Sequence, residues 1–101
     1  MNSKQELLTL LIQHQQQLKT LGVKRLGLFG SFVRNETTPN SDVDFLVEFE
    51  LGQKKFDNFM NLSFLLEDLL QRRIELITPE SLSPYLAPYI LKEVENVPFT
   101  G

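Results

Sequence analysis

Residues 26–49 read LGLFGSFVRNETTPNSDVDFLVEF. An apolar run, Leu26 to Phe29, stops at the small pair Gly30-Ser31. Small residues at a strand end let backbone N–H groups approach a phosphate. The chain then turns through Thr37-Thr38-Pro39-Asn40 and resumes as a strand that carries Asp42 and Asp44. Carboxylates at i and i+2 of a strand project from the same face, roughly 7 Å apart along the backbone. Such a pair can hold a divalent metal. Val43, Phe45, Val47 and Phe49 take the opposite face and build the core. A phosphate turn and a metal pair in one strand–turn–strand unit point to nucleotide chemistry.

Working outward, Val23 to Phe29 is the first strand, and Ser31 to Arg34 or Asn35 a short helical turn after the glycine. Upstream, Ser3-Lys4-Gln5-Glu6 reads as a capping box. It opens one helix with Leu7, Leu11, His14, Leu18 and Leu21 on a single face, and Gly22 ends it. His14 reads as a core-edge histidine satisfied by one hydrogen bond. Downstream, Phe56 to Gln71 is a helix with Leu62, Leu65, Leu66 and Leu69 as its central stripe. Met60 and Phe64 lie on its other face, either under a neighbouring element or as a partner surface. Arg73 to Thr78 is a third strand, with Ile74, Leu76 and Thr78 alternating against Arg73, Glu75 and Ile77. A last helix runs from about Ser83 to Val94, and Pro88 kinks it or delays its start. The tail from Asn96 to Gly101 is expected to be loosely held.

The 101 residues allow a single domain spanning 1–101. Net charge is −3, so a basic footprint for bulk nucleic-acid binding is missing and no direct nucleic-acid contact is expected. The absence of cysteine removes disulfides and thiolate metal sites. The amino-terminal stretch lacks the layout of a signal peptide, and no apolar run approaches the ~18 residues of a membrane span. A cytoplasmic location, with no membrane partner, is the expectation.

Nucleotidyl transfer has a hydroxyl attack the α-phosphorus while pyrophosphate leaves. Two divalent ions about 3.5–4 Å apart can neutralise the charge and hold the line of attack. Mg²⁺ takes oxygen ligands and keeps waters, so few carboxylates suffice. Asp42 and Asp44 supply two. Glu75, on the third strand with Ile74 and Leu76 facing the core, is the candidate third, as metal ligand and catalytic acid-base. Gly30 and Ser31 would hold the phosphates. Arg34 would reach the phosphates or brace an aspartate, with a structural ion pair as its other reading. Glu48 shares the aspartates' face but lies farther along the strand. Lys54-Lys55 and Arg72-Arg73 read as solvated element ends, Arg73 being notable for sharing Glu75's face.

Gly30-Ser31, ten intervening residues and Asp42-x-Asp44 together resemble the signature of the DNA polymerase β-like nucleotidyltransferases. Within these, the short chain and its ELITPESL segment resemble the minimal nucleotidyltransferases (MNT). The resemblance implies an α+β nucleotidyltransferase fold, a mixed sheet of three or four strands flanked by helices. It implies Gly30 and Ser31 on nucleotide phosphates and Mg²⁺ on Asp42 and Asp44. It also implies an antitoxin that takes ATP as substrate and transfers AMP to a tyrosine of a HEPN-family ribonuclease toxin. One departure stands out. The family's third acid is commonly aspartate, in a segment like VDLVTPE, where this chain has Glu75 in IELITPE. The extra methylene leaves open an antitoxin that neutralises by binding alone. A catalytic subunit of a two-chain small-molecule nucleotidyltransferase is the remaining alternative.

Overall fold

A computed structural model of the chain describes residues 3–38 and 40–99. Pro39 of the expected turn, Met1 and Asn2 of the amino-terminal reading, and Thr100 and Gly101 of the tail lie outside the described residues. In order, the elements are α1 (Lys4–Gln13), α2 (Gln15–Thr20), β1 (Val23–Phe29), α3 (Ser31–Arg34), β2 (Val43–Phe49), α4 (Phe56–Leu70), β3 (Ile74–Ile77), a 3₁₀ turn (Pro79–Ser81), α5 (Ala87–Glu93) and β4 (Glu95–Asn96). The sheet order is β3-β2-β1-β4. β1 runs antiparallel to both β2 and β4, and β2 runs parallel to β3. The mixed α+β architecture expected from the sequence is the one observed.

The helical start is capped as its sequence directs, with the Glu6 N–H donating to Ser3 Oγ at 3.2 Å. The expected single helix is broken at His14, and the histidine itself is the cause. In a continuous helix its backbone N–H would bond the Leu10 carbonyl. Instead the ring Nδ1 donates to that carbonyl at 2.9 Å, and the backbone N–H turns to Leu11 O at 3.2 Å. Side-chain competition for a backbone acceptor ends α1 and starts α2. The ring is half-buried and has its one partner, as the sequence reading expected.

One face of the sheet is the core. Leu26 and Leu28 of β1 and Val43, Phe45 and Val47 of β2 are fully buried against Leu7, Leu11 and Leu18 of the first two helices and Leu62 and Leu66 of α4. The period-2 and period-3.6 apolar patterns therefore close on one another. Phe32 of α3 joins this core, which anchors the segment after Gly30. The other sheet face carries Asp42, Asp44, Glu48 and Glu75, the charged half of the alternation.

Two expectations about the carboxyl-terminal third need correcting. Helix α5 begins only at Ala87, with Pro88 in its first turn, so the proline delays the start and causes no kink. The segment after it is held firmly as far as Phe99. Gly27 pairs with Asn96 and Leu28 with Glu95. The Val97 N–H donates to Leu26 O at 2.8 Å, and its side chain is buried. A Lys4–Glu95 ion pair at 2.9 Å ties this fourth strand to α1. Two residues of strand are too short to show a period, which is why the sequence does not announce β4. Its footprint is on β1 instead. A Cβ at Gly27 would collide with Val94 Cγ2 and crowd Asn96 Oδ1, so the bare glycine makes room for the return of the chain. Gly27→Val should therefore destabilise by about 1–3 kcal/mol, measured by urea denaturation, as overpacked sites do. The Val97 amide proton, bonded to Leu26 O, should lose hydrogen-exchange protection first.

Candidate active site

The β2–β3 register builds the centre of the site. Asp44 is the direct cross-strand partner of Glu75, with Val43 opposite Ile74 and Phe45 opposite Leu76. The alternation that buries Phe45 and packs Leu76 on the core must turn Asp44 and Glu75 together to the other face. Asp42 lies one pleat before Asp44 on that face and is exposed. Asp44 is half-buried, and Glu75 is exposed at the strand edge.

Gly30 sits directly against Asp44. It occupies φ 79°, ψ −149°, a region open essentially to glycine alone. A Cβ there would run into the Asp44 carboxylate. The glycine thus does two jobs: it makes the sharp exit from β1 and leaves space for the Asp44 carboxylate. The fold brings Gly30 against Asp44 through the β1–β2 pairing of Phe29 with Asp44.

Crowded acids make Asp44 unusual. Its carboxyl is pushed up from 3.8 to about 6, first by burial and then by the Glu75 charge and hydrogen bond, with Asp42 adding a smaller repulsion. Arg34 opposes this weakly through its charge. A half-buried carboxylate crowded by two exposed ones is a setting in which a divalent cation would displace the proton. The donor set is hard oxygen throughout, which suits Mg²⁺. Among the described residues, no three His, Cys, Asp or Glu side chains close into a cluster able to hold a metal by themselves. Asp42, Asp44 and Glu75 could therefore hold an ion only with water or substrate oxygens completing its shell.

Arg34 does not brace either aspartate through an ion pair. Its Nε donates to Glu36 at 2.6 Å and its Nη1 to Glu93 at 2.9 and 3.1 Å. These contacts hold the guanidinium further toward its charged form, the Glu36 hydrogen bond first. Glu48 is engaged by Arg25 at 3.0 Å, a pleat and more away from Asp44. Lys54 meets Glu80 at 2.6 Å, a pair with both partners exposed and so worth little. The reading of Arg72 as a solvated end is overturned. Its guanidinium lies 5.0 Å from the Phe32 ring centroid, and Nη1 donates to Ser41 O at 3.2 Å and Thr38 O at 3.3 Å. It clamps the loop between the glycine turn and Asp42 onto the core. Glu93 is the other residue the sequence reading missed. It is 63 positions from Gly30, and no spacing rule links them.

The sequence model of the nucleotidyltransferase domain family matches residues 11–96, a span holding the glycine turn, both aspartates and Glu75. The chain belongs to the nucleotidyltransferase domain family. A protein adenylyltransferase of Thermococcus cleftensis is 38% identical over 94 residues, 92% of this chain and 94% of that protein. A Methanocaldococcus jannaschii relative, provisionally named a protein adenylyltransferase, is 36% identical over 94 residues, 93% of this chain and 92% of its own. Among solved structures, one provisionally described as a minimal nucleotidyltransferase superposes with a TM-score of 0.70 at 30% identity, covering 87% of this chain and 93% of that one. A chain of a toxin–antitoxin complex with AMP-PNP shares the fold, with a TM-score of 0.64 at 20% identity over 85% of this chain and 73% of its own. The family resemblance stated from the sequence thus agrees with each of these comparisons.

The nucleotidyltransferase centre carries its own pH signature. The folded protein holds the Asp44 proton more tightly than the unfolded chain does, because the folded value lies above the ordinary one. This contribution to stability is complete below the unfolded value and is lost as pH rises through about 6. Metal-free protein should melt a few degrees lower at about pH 7 than at about pH 4.5 through this group alone. Differential scanning calorimetry should show that component vanish in Asp44→Asn.

Proposed function

We propose that this nucleotidyltransferase is a protein adenylyltransferase and antitoxin, transferring AMP from ATP to a tyrosine of a HEPN-family ribonuclease toxin in the cytoplasm. The observation that carries the reading is the in-register pairing of Asp44 with Glu75 beneath Gly30, on a chain similar over nearly its whole length to protein adenylyltransferases. The likeness in fold to chains of toxin–antitoxin complexes supports the choice of partner. The 101 residues act as one domain whose acceptor is supplied by the partner chain.

In this reading, backbone N–H groups at Gly30 and Ser31 and the Ser31 hydroxyl hold the polyphosphate tail. Asp42, Asp44 and Glu75 would bind Mg²⁺, two ions in the full site. The metal supplies charge neutralisation at the phosphates when bound. The tyrosine oxygen forms the new bond to the α-phosphorus, the α–β bridging bond breaks, and pyrophosphate departs with the electron pair. Glu75, exposed at the strand edge on the side open to a partner, takes the tyrosine proton. Co-expression with the partner toxin and intact-mass analysis tests this: the toxin should gain one or more AMP units. Asp42→Asn with Asp44→Asn should cut transfer by at least about 100-fold, because charge stabilisation at the phosphates is lost. Equal labelling by the double variant would sink the assignment.

One observation favours a second reading, neutralisation by binding alone. Phe56 is 78% exposed and Phe64 57% exposed, and they align with half-buried Met60 at successive helical turns of α4. Of the two readings of the Met60–Phe64 face, a covering element is excluded for Phe64 within the described residues. If occlusion is the mechanism, Phe56→Ser with Phe64→Ser abolishes rescue of cells from the toxin, whereas the double aspartate variant still rescues.

A further inference from the structure

The donors that this reading assigns to phosphate are already engaged by an anion of the chain itself. The Gly30 N–H donates to Glu93 Oε1 at 2.6 Å. Arg34 Nη1 donates to both oxygens of the same carboxylate, at 2.9 and 3.1 Å. A backbone N–H and a guanidinium gripping two oxygens of one anion is also how proteins hold a phosphate. The carboxylate is brought there by the fold. Val94 packs over the bare Gly27, and the next two residues pair with β1, so Glu93 is tethered beside the turn. A tethered competitor acts at a high effective concentration.

The arrangement is also able to let go. Helix α5 has seven residues and none of them is fully buried. Elements with so few buried contacts open at low cost. Arg34 would stay in position when Glu93 leaves, because Glu36 holds its Nε separately at 2.6 Å. We propose that Glu93 is an internal anion seated on Gly30 and Arg34 that incoming nucleotide polyphosphate must displace, so that α5 sets nucleotide affinity. This rests on the reading of the Gly30–Ser31 turn as the phosphate seat.

Inorganic tripolyphosphate in the presence of Mg²⁺ is the probe, titrated calorimetrically into the full chain. Glu93→Ala and Glu93→Asp, the latter too short to reach both donors, should bind it at least about 10-fold more tightly than wild type, the order expected for removing a charge-assisted competitor. Glu36→Gln removes the same charge from the other side of Arg34 without freeing Gly30, and should tighten binding much less. Equal or weaker binding by the Glu93 variants overturns the proposal, as does equal tightening in Glu36→Gln or no binding by any form. Wild-type protein gives a readout independent of variant folding: the Glu93 carboxyl ¹³C resonance should shift on saturation together with the Gly30 amide. A Gly30 shift with Glu93 unmoved also overturns it. Wild type that shows the Glu93 response but transfers no AMP loses the transferase reading and keeps this one.

Discussion

The site depends on one register, the parallel pairing that puts Asp44 beside Glu75. Packing of Phe45 and Leu76 on the opposite face enforces it, since a one-residue slip of either strand would turn that strand's acid into the core. Hydrophobic packing thereby holds two like charges together that would separate in water. Burial of Asp44 first, and the Glu75 charge second, push its carboxyl to about 6. A proton relieves both costs, so the packing of the core raises the affinity of Asp44 for positive charge.

The second constraint is steric. Gly30 lies so close to Asp44 that no side chain fits, and Gly27 so close to Val94 that the same holds one pleat and more away. The two glycines of β1 and its end let the phosphate turn and the carboxyl-terminal return each approach the open sheet face. That return carries Glu93, which balances the positive charge of Arg34 and occupies the Gly30 N–H in the free protein. Negative charge is therefore arranged in two groups, a carboxylate pair below the turn and a single carboxylate on it. In the proposed function the first group would hold metal, and the second stands where a phosphate would.

Much of this was legible in the chain because it is local. The strict alternation of Val43 to Phe49, the Gly30-Ser31 break and the leucine stripe of α4 are period signals contained in single segments. They suffice to separate core from chemistry and to nominate Asp42, Asp44 and Glu75. The His14 break was not legible, because it turns on a ring nitrogen outcompeting a backbone donor for Leu10 O. Arg72 was misread because its partners, Phe32 and the carbonyls of Thr38 and Ser41, lie more than 30 residues away in sequence. Charged residues at element ends look alike in sequence whether they are solvated or clamped.

The amino-acid pattern alone sets the order of strands and helices through α5 apart from the break at His14 and the 3₁₀ turn, together with the core face and the family, since hydrophobic period and a spaced glycine–aspartate motif survive without any knowledge of contacts. Only the tertiary structure decided that β4 exists, that Arg34 belongs to Glu36 and Glu93, and that Glu93 reaches the glycine turn. Those outcomes rest on pairings between segments tens of residues apart. Their energies come from shape and charge brought together by the closed core, and a linear pattern holds no record of which distant partner will fit.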